Sequence, residues 1–243
     1  MPEQSENELD HFRQEHVRLF RTINHDVKSP LYAIQSLTRM FAENPESFSE
    51  DELKTMAVEI NRSVGSIGEI LESLLGWMDY QKIRYNLAMT HENLQEELQL
   101  AIDAIMPRAR QKDIEIQAEL SAVNVRCIES GLRRAALILL NNAVKFSPDG
   151  SRITIASSGP DDRNRMRLTV QDQGPGLSEK ARNQLFKIEE RIISEGTRGE
   201  KGAGLGLLMA RDIMERSGGQ AGIEDSQHGA CFYLEMQAAG DAL

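Results

Sequence analysis

Apolar side chains recur at helical spacing through the first third of the chain. Between residues 20 and 41 they advance in steps of three and four, which places them on one side of an α-helix. After a polar break at residues 42–50, a second stripe begins, and Ser49 is positioned to cap its helix. The pattern predicts an antiparallel helical hairpin with helices of about 30 residues each. The two stripes are Phe20, Ile23, Val27, Leu31, Ile34, Leu37 and Phe41, and then Leu53, Met56, Ile60, Val64, Ile67, Leu71, Leu74 and Met78.

The predicted hairpin has two apolar stripes but too little core to be stable alone. Each stripe therefore needs a further partner. The simplest partner is a second copy of the chain, which gives a homodimer joined through a four-helix bundle. The alternative is that the stripes pack against the rest of the same chain.

The period of the pattern changes near residues 80–84, after which helices and strands alternate. Helices are predicted at residues 93–110, 129–146, 178–192 and 205–217, and strands at residues 114–120, 123–127, 152–157, 165–171, 220–224 and 231–236. The pattern predicts long antiparallel strand pairs with helices between them, which are typical of a two-layer α/β sandwich. The sequence thus predicts an α+β protein, with the hairpin in residues 1–82 and the sandwich in residues 83–243.

Charge and composition restrict the class of ligand. The chain has 28 Lys and Arg against 38 Asp and Glu, a formal net charge of −10, which argues against nucleic acid as a partner. The longest apolar run, residues 135–140, is far shorter than the about 18 residues that span a bilayer, so no membrane segment is predicted. Cys127 and Cys231 form no CxxC motif and are predicted to be buried free thiols in a cytoplasmic protein.

Glycines of the second half form two clusters beside predicted elements. The clusters are Asp172-Gln-Gly174-Pro-Gly176 after a strand and Gly202-Ala-Gly204-Leu-Gly206 before a helix. Glycine lets backbone N–H groups approach a ligand closely, and a glycine loop at a helix N-terminus favours phosphate. Asn142 offers an amide oxygen that suits Mg²⁺, and Lys145, on the same helical face, can neutralise phosphate charge. The carboxylate of Asp172 can accept a hydrogen bond from an exocyclic amine such as that of adenine.

Taken in order, these segments resemble the ATP-binding domain shared by sensor histidine kinases, DNA gyrase, Hsp-type chaperones and mismatch-repair ATPases. The matching segments are LLNNAVKF at residues 139–146, DQGPG at 172–176, LF at 185–186 and GAGLGL at 202–207. The resemblance covers about residues 84–243. It implies that Asn142 holds Mg²⁺, that Asp172 binds the adenine amine of ATP, and that residues 195–202 form a lid. The nucleotide-binding residues that it implies are Asn142, Lys145, Phe146, Asp172, Gly174, Gly176, Lys201, Gly202, Gly204, Leu205 and Gly206.

One histidine of the first helix has a distinctive context. The segment His25-Asp-Val-Lys-Ser-Pro-Leu31 resembles the phosphoacceptor box of histidine kinases. The apolar residues two positions to either side of His25 lie about 200° around the helix, so the imidazole is expected to point away from the apolar stripe. Ser29, four residues later, shares the face of His25. Pro30 removes a backbone N–H, so a bend is expected beside the histidine.

The resemblance implies catalytic roles for His25, Asp26 and Ser29. His25 would attack the γ-phosphorus of ATP, while Asp26 would orient the imidazole and take its proton. The phosphoryl group would then pass to an aspartate of a separate response-regulator receiver domain. Few residues precede the histidine, so we expect either a kinase core from a longer parent protein, for which membrane attachment stays open, or a protein controlled by separate partners.

Three positions depart from the family pattern. Ile138 occupies the position of a second metal-binding asparagine, and the absence of a glutamate there favours phosphotransfer over hydrolysis. Glu189 replaces a common phenylalanine three residues after Phe186. Ser29 stands where threonine or asparagine is usual, which bears on phosphatase activity. The alternatives to a kinase are a degenerate phosphotransfer scaffold that no longer binds ATP and a bare ATPase of the same superfamily.

Overall fold

The computed structural model describes residues 26–83, 86–185, 195–200, 204–226 and 228–239. These residues divide into two compact units, and the division within the long second helix falls after Gly76. Predictions about His25, Phe186, Glu189, Lys201 and Gly202 fall outside the described residues.

The first unit contains the predicted pair of helices. Helix α1 includes residues 26–43, a short 3-10 turn follows at Pro45–Ser47, and helix α2 spans Glu50–Ile83. The predicted cap of α2 is confirmed: Ser49 Oγ accepts a hydrogen bond from the Glu52 N–H at 3.4 Å, and the Glu52 carboxylate accepts one from the Ser49 N–H at 2.8 Å. This reciprocal capping box satisfies backbone donors that the first turn leaves unpaired.

Part of the apolar stripe on this unit is exposed in the single chain. The exposed fractions are 42% for Leu31, 54% for Val64 and 46% for Leu71. Among the described residues of the unit, Ile70 is the only large apolar side chain that is buried. The stripe thus leaves part of its apolar surface in contact with solvent, while most of its other described members are half-buried.

The second unit begins with the last turns of α2, where Tyr80 is part of the core. Its further elements are β1 Met89–Asn93, α3 Leu94–Gln111, β2 Glu115–Glu119, β3 Asn124–Ile128, α4 Gly131–Phe146, β4 Arg152–Ser158, β5 Arg165–Gln171, α5 Glu179–Gln184, α6 Gly206–Arg216, β6 Gln220–Glu224 and β7 Cys231–Gln237. All the predicted helices and strands that lie fully in the described residues are present, with ends that differ by one or two residues.

Five strands form the main sheet in the order β2-β4-β5-β7-β6. The pair β2–β4 is parallel and the other pairs are antiparallel, whereas the sequence pointed only to antiparallel pairs. Alternate residues of β5 are buried and half-buried, so one face of the sheet carries the core. Helices α3, α4 and α6 pack side by side, with α4 in the middle. The predicted two-layer α/β sandwich is confirmed.

Strand β1 was not predicted from the sequence. Its residues, MTHEN, are mostly polar and show no apolar alternation, yet they pair antiparallel with β3. The strand has a local purpose, because the Glu92 carboxylate accepts a hydrogen bond from the Leu132 N–H at 3.2 Å. Helix α4 begins after Ser130 without a side-chain cap of its own, so Glu92 supplies one from β1.

The helix predicted at residues 178–192 is confirmed only at its start. Ser178 caps α5 by accepting a hydrogen bond from the Ala181 N–H at 3.2 Å, and α5 ends at Gln184. Residues 186–194 lie outside the described part of the chain.

Candidate nucleotide-binding site

Asp172 directly follows β5 and is held by backbone groups from two loops. Its Oδ1 accepts hydrogen bonds from the Gly174 N–H at 2.8 Å and the Ala230 N–H at 3.0 Å. Its backbone N–H donates to the Ala230 carbonyl at 3.0 Å. Within the described residues Oδ2 has no hydrogen bond, so one carboxylate oxygen is fixed and the other is available to accept from a ligand amine.

Two glycines allow the backbone to come this close to Asp172. A Cβ on Gly229 would lie 2.0 Å from the Asp172 carbonyl oxygen, and Gly229 has a φ of +67°. A Cβ on Gly174 would lie 2.7 Å from the Phe146 carbonyl oxygen. The chain can therefore surround the carboxylate only with glycine at these two positions. Gly176 lies beside Gly229, since a Cβ there would lie 3.1 Å from the Gly229 carbonyl oxygen.

Burial raises the pKa of Asp172 above its ordinary value, although the hydrogen bonds from Ala230 and Gly174 oppose the rise. The side chain is 3% exposed and receives no cationic partner among the described residues. A buried carboxylate without a cation favours a neutral donor, such as an aromatic amine, over a second anion.

The predicted residues of α4 lie in its last two turns. Asn142 is half-buried, and its amide makes no hydrogen bond to any described residue. The Lys145 ammonium lies 5.1 Å from the centre of the Phe146 ring, at the distance of a cation–π contact. Because Gly174 abuts the Phe146 carbonyl, the first glycine cluster meets α4 at this end.

The second glycine cluster leads into the N-terminus of α6. Gly204 has a φ of +65°, Leu205 is buried, and Gly206 is the first residue of α6. A Cβ on Gly206 would lie 3.0 Å from Cγ2 of Ile138, one turn before Asn142 on α4. The N-terminus of α6, which carries a partial positive charge, therefore lies beside the face of α4 that bears Asn142.

The resemblance implies a magnesium ion. Whether the site can hold one depends on the oxygen ligands that its residues offer. Within the described residues no cluster of His, Cys, Asp and Glu is arranged to hold a metal. Asn142 provides one hard oxygen, and Ile138 provides none. This set suits Mg²⁺ that is bound mainly through nucleotide phosphates and water, with Asn142 as the protein ligand.

The described residues of the histidine box belong to α1. Ser29 is exposed, as its position on the face of His25 predicts, and Asp26 is half-buried. α1 continues through Pro30 to residue 43.

Three residues of the second unit, Gly229, Ala230 and Lys112, were not identified from the sequence, and Thr197 was predicted only as part of the lid. Gly229 and Ala230 position Asp172 from a loop far along the chain, and no motif marks them. Lys112 and Thr197 meet at the end of α4, where the Lys112 ammonium donates to the Thr197 hydroxyl at 2.6 Å. The sequence does not show that Lys112 is buried at the end of a helix, because lysine is ordinarily exposed.

Comparison with known proteins agrees with this geometry. Residues 127–240 match the family described as histidine kinase-, DNA gyrase B-, and HSP90-like ATPase. The signal transduction histidine-protein kinase/phosphatase MprB of Mycobacterium sp. strain KMS is 26% identical over 94% of this chain, which spans 45% of that relative. The chain thus spans less than half the length of this relative.

Solved structures show the same likeness. The structure of the mycobacterial sensor histidine kinase MprB is 26% identical with a TM-score of 0.52, covering 62% of this chain and 98% of the other. The histidine kinase ThkA, solved in complex with the response regulator TrrA, has a TM-score of 0.64 over 97% of this chain and 67% of the other. At 18% identity, the ThkA likeness shows the fold alone.

The buried Asp172 and both glycine clusters lie within the residues that match the histidine kinase-, DNA gyrase B-, and HSP90-like ATPase family. The sequence similarity to MprB covers 94% of the chain and so extends beyond that domain to the helices. The resemblance to sensor histidine kinases of two-component systems is confirmed. Among the described residues, no helix is both long and apolar enough to cross a membrane.

Proposed function

We propose that the chain is an ATP-dependent protein-histidine kinase. It phosphorylates His25 and then donates the phosphoryl group to an aspartate of a response-regulator receiver domain. The observation that supports this most is the presence, in one chain, of an ATPase-family site around Asp172 and of the histidine box at residues 25–31 on a separate helical unit.

Asp172 gives the site its base recognition. Oδ2 accepts a hydrogen bond from the exocyclic amine of adenine, while Oδ1 stays bound to the amides of Gly174 and Ala230. The polyphosphate then extends between Lys145 on α4 and the N-terminus of α6, both of which favour negative charge. Mg²⁺ bound by Asn142 and the phosphates would supply charge neutralisation in the transition state.

The chemical step needs a neutral imidazole. One ring nitrogen of His25 attacks the γ-phosphorus, and the bond from that phosphorus to the β–γ bridging oxygen breaks to release ADP. The proton on the other ring nitrogen passes to Asp26, the adjacent carboxylate, which leaves a phosphohistidine whose imidazole ring is neutral. Most of the rate is supplied by positioning and charge neutralisation, because phosphoryl transfer requires little covalent work from the protein.

A second transfer follows from the chemistry of phosphohistidine. A carboxylate oxygen of the receiver attacks the phosphorus, the P–N bond breaks, and His25 regains a proton. ThkA, which shares the fold, was crystallised with a response regulator. For this chain we propose the same class of partner, with the exposed Ser29 on the face that it approaches.

We also propose that the hairpin forms a homodimer. The supporting observation is the exposed apolar stripe, of which Leu31, Val64 and Leu71 are members. Two copies joined stripe to stripe would bury this surface as a four-helix bundle. Leu71→Asp is expected to give monomers in sedimentation equilibrium, whereas Asn61→Asp, which adds the same charge at an exposed polar position of α2, is expected to leave the dimer intact.

The kinase is tested with γ-labelled ATP and Mg²⁺. We expect label on the wild-type chain that is labile in acid and stable in alkali, and none on His25→Gln. His91→Gln, which changes an exposed histidine of β1, serves as the matched control and is expected to be labelled like the wild type. Asp172→Asn is expected to weaken ATP binding at least about tenfold, because the carboxylate acceptor is lost.

The other outcomes identify the alternatives. ATP binding and phosphate release without label on the protein would indicate a bare ATPase. A folded chain that neither binds ATP nor takes label would indicate a scaffold. Label that persists in His25→Gln would contradict the assignment of the acceptor.

A further inference from the structure

The ammonium of Lys112 is buried at the C-terminus of α4. Lys112 follows α3 and is 3% exposed. Its Nζ donates hydrogen bonds to the Val144 carbonyl at 2.9 Å, the Lys145 carbonyl at 3.1 Å and the Thr197 hydroxyl at 2.6 Å. The three donors of the ammonium are thus directed to three oxygens.

Thr197 completes the contact from the segment that precedes the second glycine cluster. Its N–H donates to the Lys145 carbonyl at 3.1 Å, and its hydroxyl donates to the Ser147 carbonyl at 2.8 Å. The hydroxyl therefore accepts from Lys112 and donates to Ser147 with its single proton. We call this set of residues (Lys112, Val144, Lys145, Ser147 and Thr197) the Lys112 junction.

The neighbouring Arg198 fixes the same segment a second time. Its guanidinium donates to the Gln111 carbonyl at 2.7 Å and to the Asp149 carboxylate at 2.7 Å. Residues 197 and 198 are therefore attached both to the end of α3 and to the loop after α4.

The junction occupies a position where α4 needs donors. Ser147 leaves the helical conformation with a ψ of 140°, so the last carbonyls of α4 have no partner within the helix. These carbonyls carry the partial negative charge of the helix C-terminus, which an ammonium stabilises. The turn that ends here carries Lys145 and Phe146, and Asn142 lies one turn before it.

We propose that Lys112 is a positioning residue for the nucleotide, acting through the Lys112 junction. It holds the last turn of α4 and Thr197 in one arrangement, so that Asn142 and Lys145 meet the metal-bound phosphates. Lys112 and Thr197 do not contact the nucleotide in this arrangement. The inference rests on the proposed nucleotide site. It states that Lys112 and Thr197 support the end of that site that binds the polyphosphate, away from Asp172.

Thr197→Val and Thr197→Ser provide a matched pair of variants. Valine keeps the shape of threonine and removes the hydroxyl, whereas serine keeps the hydroxyl and removes a methyl group. Because Thr197 is exposed, neither change is expected to unfold the chain. Lys112→Met removes the ammonium itself and is measured beside them.

The measurement is the dissociation constant of ADP by calorimetry, with Mg²⁺ and with EDTA, together with the thermal midpoint of each variant. We expect Thr197→Val and Lys112→Met to raise the constant for ADP with Mg²⁺ about three- to tenfold. In EDTA the increase is expected to be smaller, since Asn142 then has no metal to hold. Thr197→Ser is expected to stay within about twofold of the wild type, because the hydroxyl is retained.

Two results would overturn the inference. One is folded Thr197→Val that binds ADP with Mg²⁺ as tightly as the wild type, and the other is Thr197→Ser that loses as much affinity as Thr197→Val. An equal loss of ADP affinity with Mg²⁺ and with EDTA would also contradict the inference. Such a result would indicate that the substitution loosens the whole domain, because that effect does not depend on the metal. Failure of the wild-type chain itself to bind ADP would instead overturn the proposed function, and this inference with it.

Discussion

The hydroxyl of Tyr80 donates a hydrogen bond to Oδ2 of Asp212 across 2.5 Å. Tyr80 belongs to the last turns of α2 and is 1% exposed, while Asp212 lies in α6 and also accepts from Arg216 at 2.9 Å. The bond therefore joins the end of α2 to the helix whose first residue is Gly206.

Tyr80→Phe is expected to lower the free energy of unfolding of the ATPase domain by about 1–2 kcal/mol, because a buried hydrogen bond to a charged group is lost. Arg216 continues to pair with Asp212, which limits the loss. Urea unfolding followed by circular dichroism measures the difference. Tyr32→Phe removes a hydroxyl from a side chain that is 61% exposed and is expected to change nothing. Equal stability of the two variants would contradict the importance of the bond.

Gly229→Ala is expected to abolish nucleotide binding and to destabilise the domain by about 3 kcal/mol or more, because the new Cβ collides with the Asp172 backbone. Gly218→Ala is the matched control. Gly218 also has a positive φ, +76°, but a Cβ there meets nothing within 4 Å, so only the conformational cost of about 1 kcal/mol is expected. ADP calorimetry and thermal unfolding distinguish the two. Normal binding by Gly229→Ala would be incompatible with the described surroundings of Asp172.

The stability of the domain is expected to fall in acid partly through Glu235. Burial opposes ionisation of this carboxyl, but hydrogen bonds from Arg167, Arg165 and Gln220 outweigh it and lower the pKa to about 2. Since the folded pKa lies below the ordinary 4.5, the contribution is fully present above pH 4.5 and is lost as the pH falls towards 2.

Glu235→Gln tests this contribution directly. At pH 7 it is expected to cost about 1–2 kcal/mol, because the charge-assisted hydrogen bonds weaken. The difference in unfolding free energy between wild type and variant is expected to shrink as the pH is lowered from 4.5 to 2. A difference that stays constant over that range would argue against ionisation of Glu235 as the cause.

The two thiols are expected to be unreactive in the folded chain. Burial raises the pKa of Cys127 and of Cys231 to about 11, and both are free and buried, as the sequence predicted. Only about 0.1% of each thiol is then ionised at pH 8, and the thiolate is the reactive form. Ellman's reagent should therefore react with both thiols in urea and with neither in buffer. Fast reaction in buffer that disappears in Cys231→Ser would show that Cys231 is accessible.

The sequence predicted those elements whose cause is local. The stripes of α1 and α2 and the cap at Ser49 depend on neighbours three or four residues apart, and this spacing is visible in the chain. Asp172, Gly174 and Gly176 were also identified, because a strand end and a glycine cluster lie next to each other in sequence. Strand β1 was missed since its pairing with β3 depends on no apolar alternation.

Contacts between distant parts of the chain were beyond prediction. The parallel pairing of β2 with β4 requires knowledge of which strands meet. Gly229 must be glycine because of the carbonyl of Asp172, and Lys112 is buried because of carbonyls on α4. In each case a contact with a distant segment determines the pairing or the residue, and the local sequence pattern does not identify that segment.

The groups that orient the Asp172 carboxylate are main-chain amides of Gly174 and Ala230. Exchange of a side chain does not remove a main-chain donor unless the new residue is proline. At position 230, substitution by a similarly small residue such as serine therefore leaves the donor in its place. Substitutions around the base-binding carboxylate can therefore change the neighbouring side chains during evolution. The orientation of the carboxylate is kept as long as the backbone follows the same path.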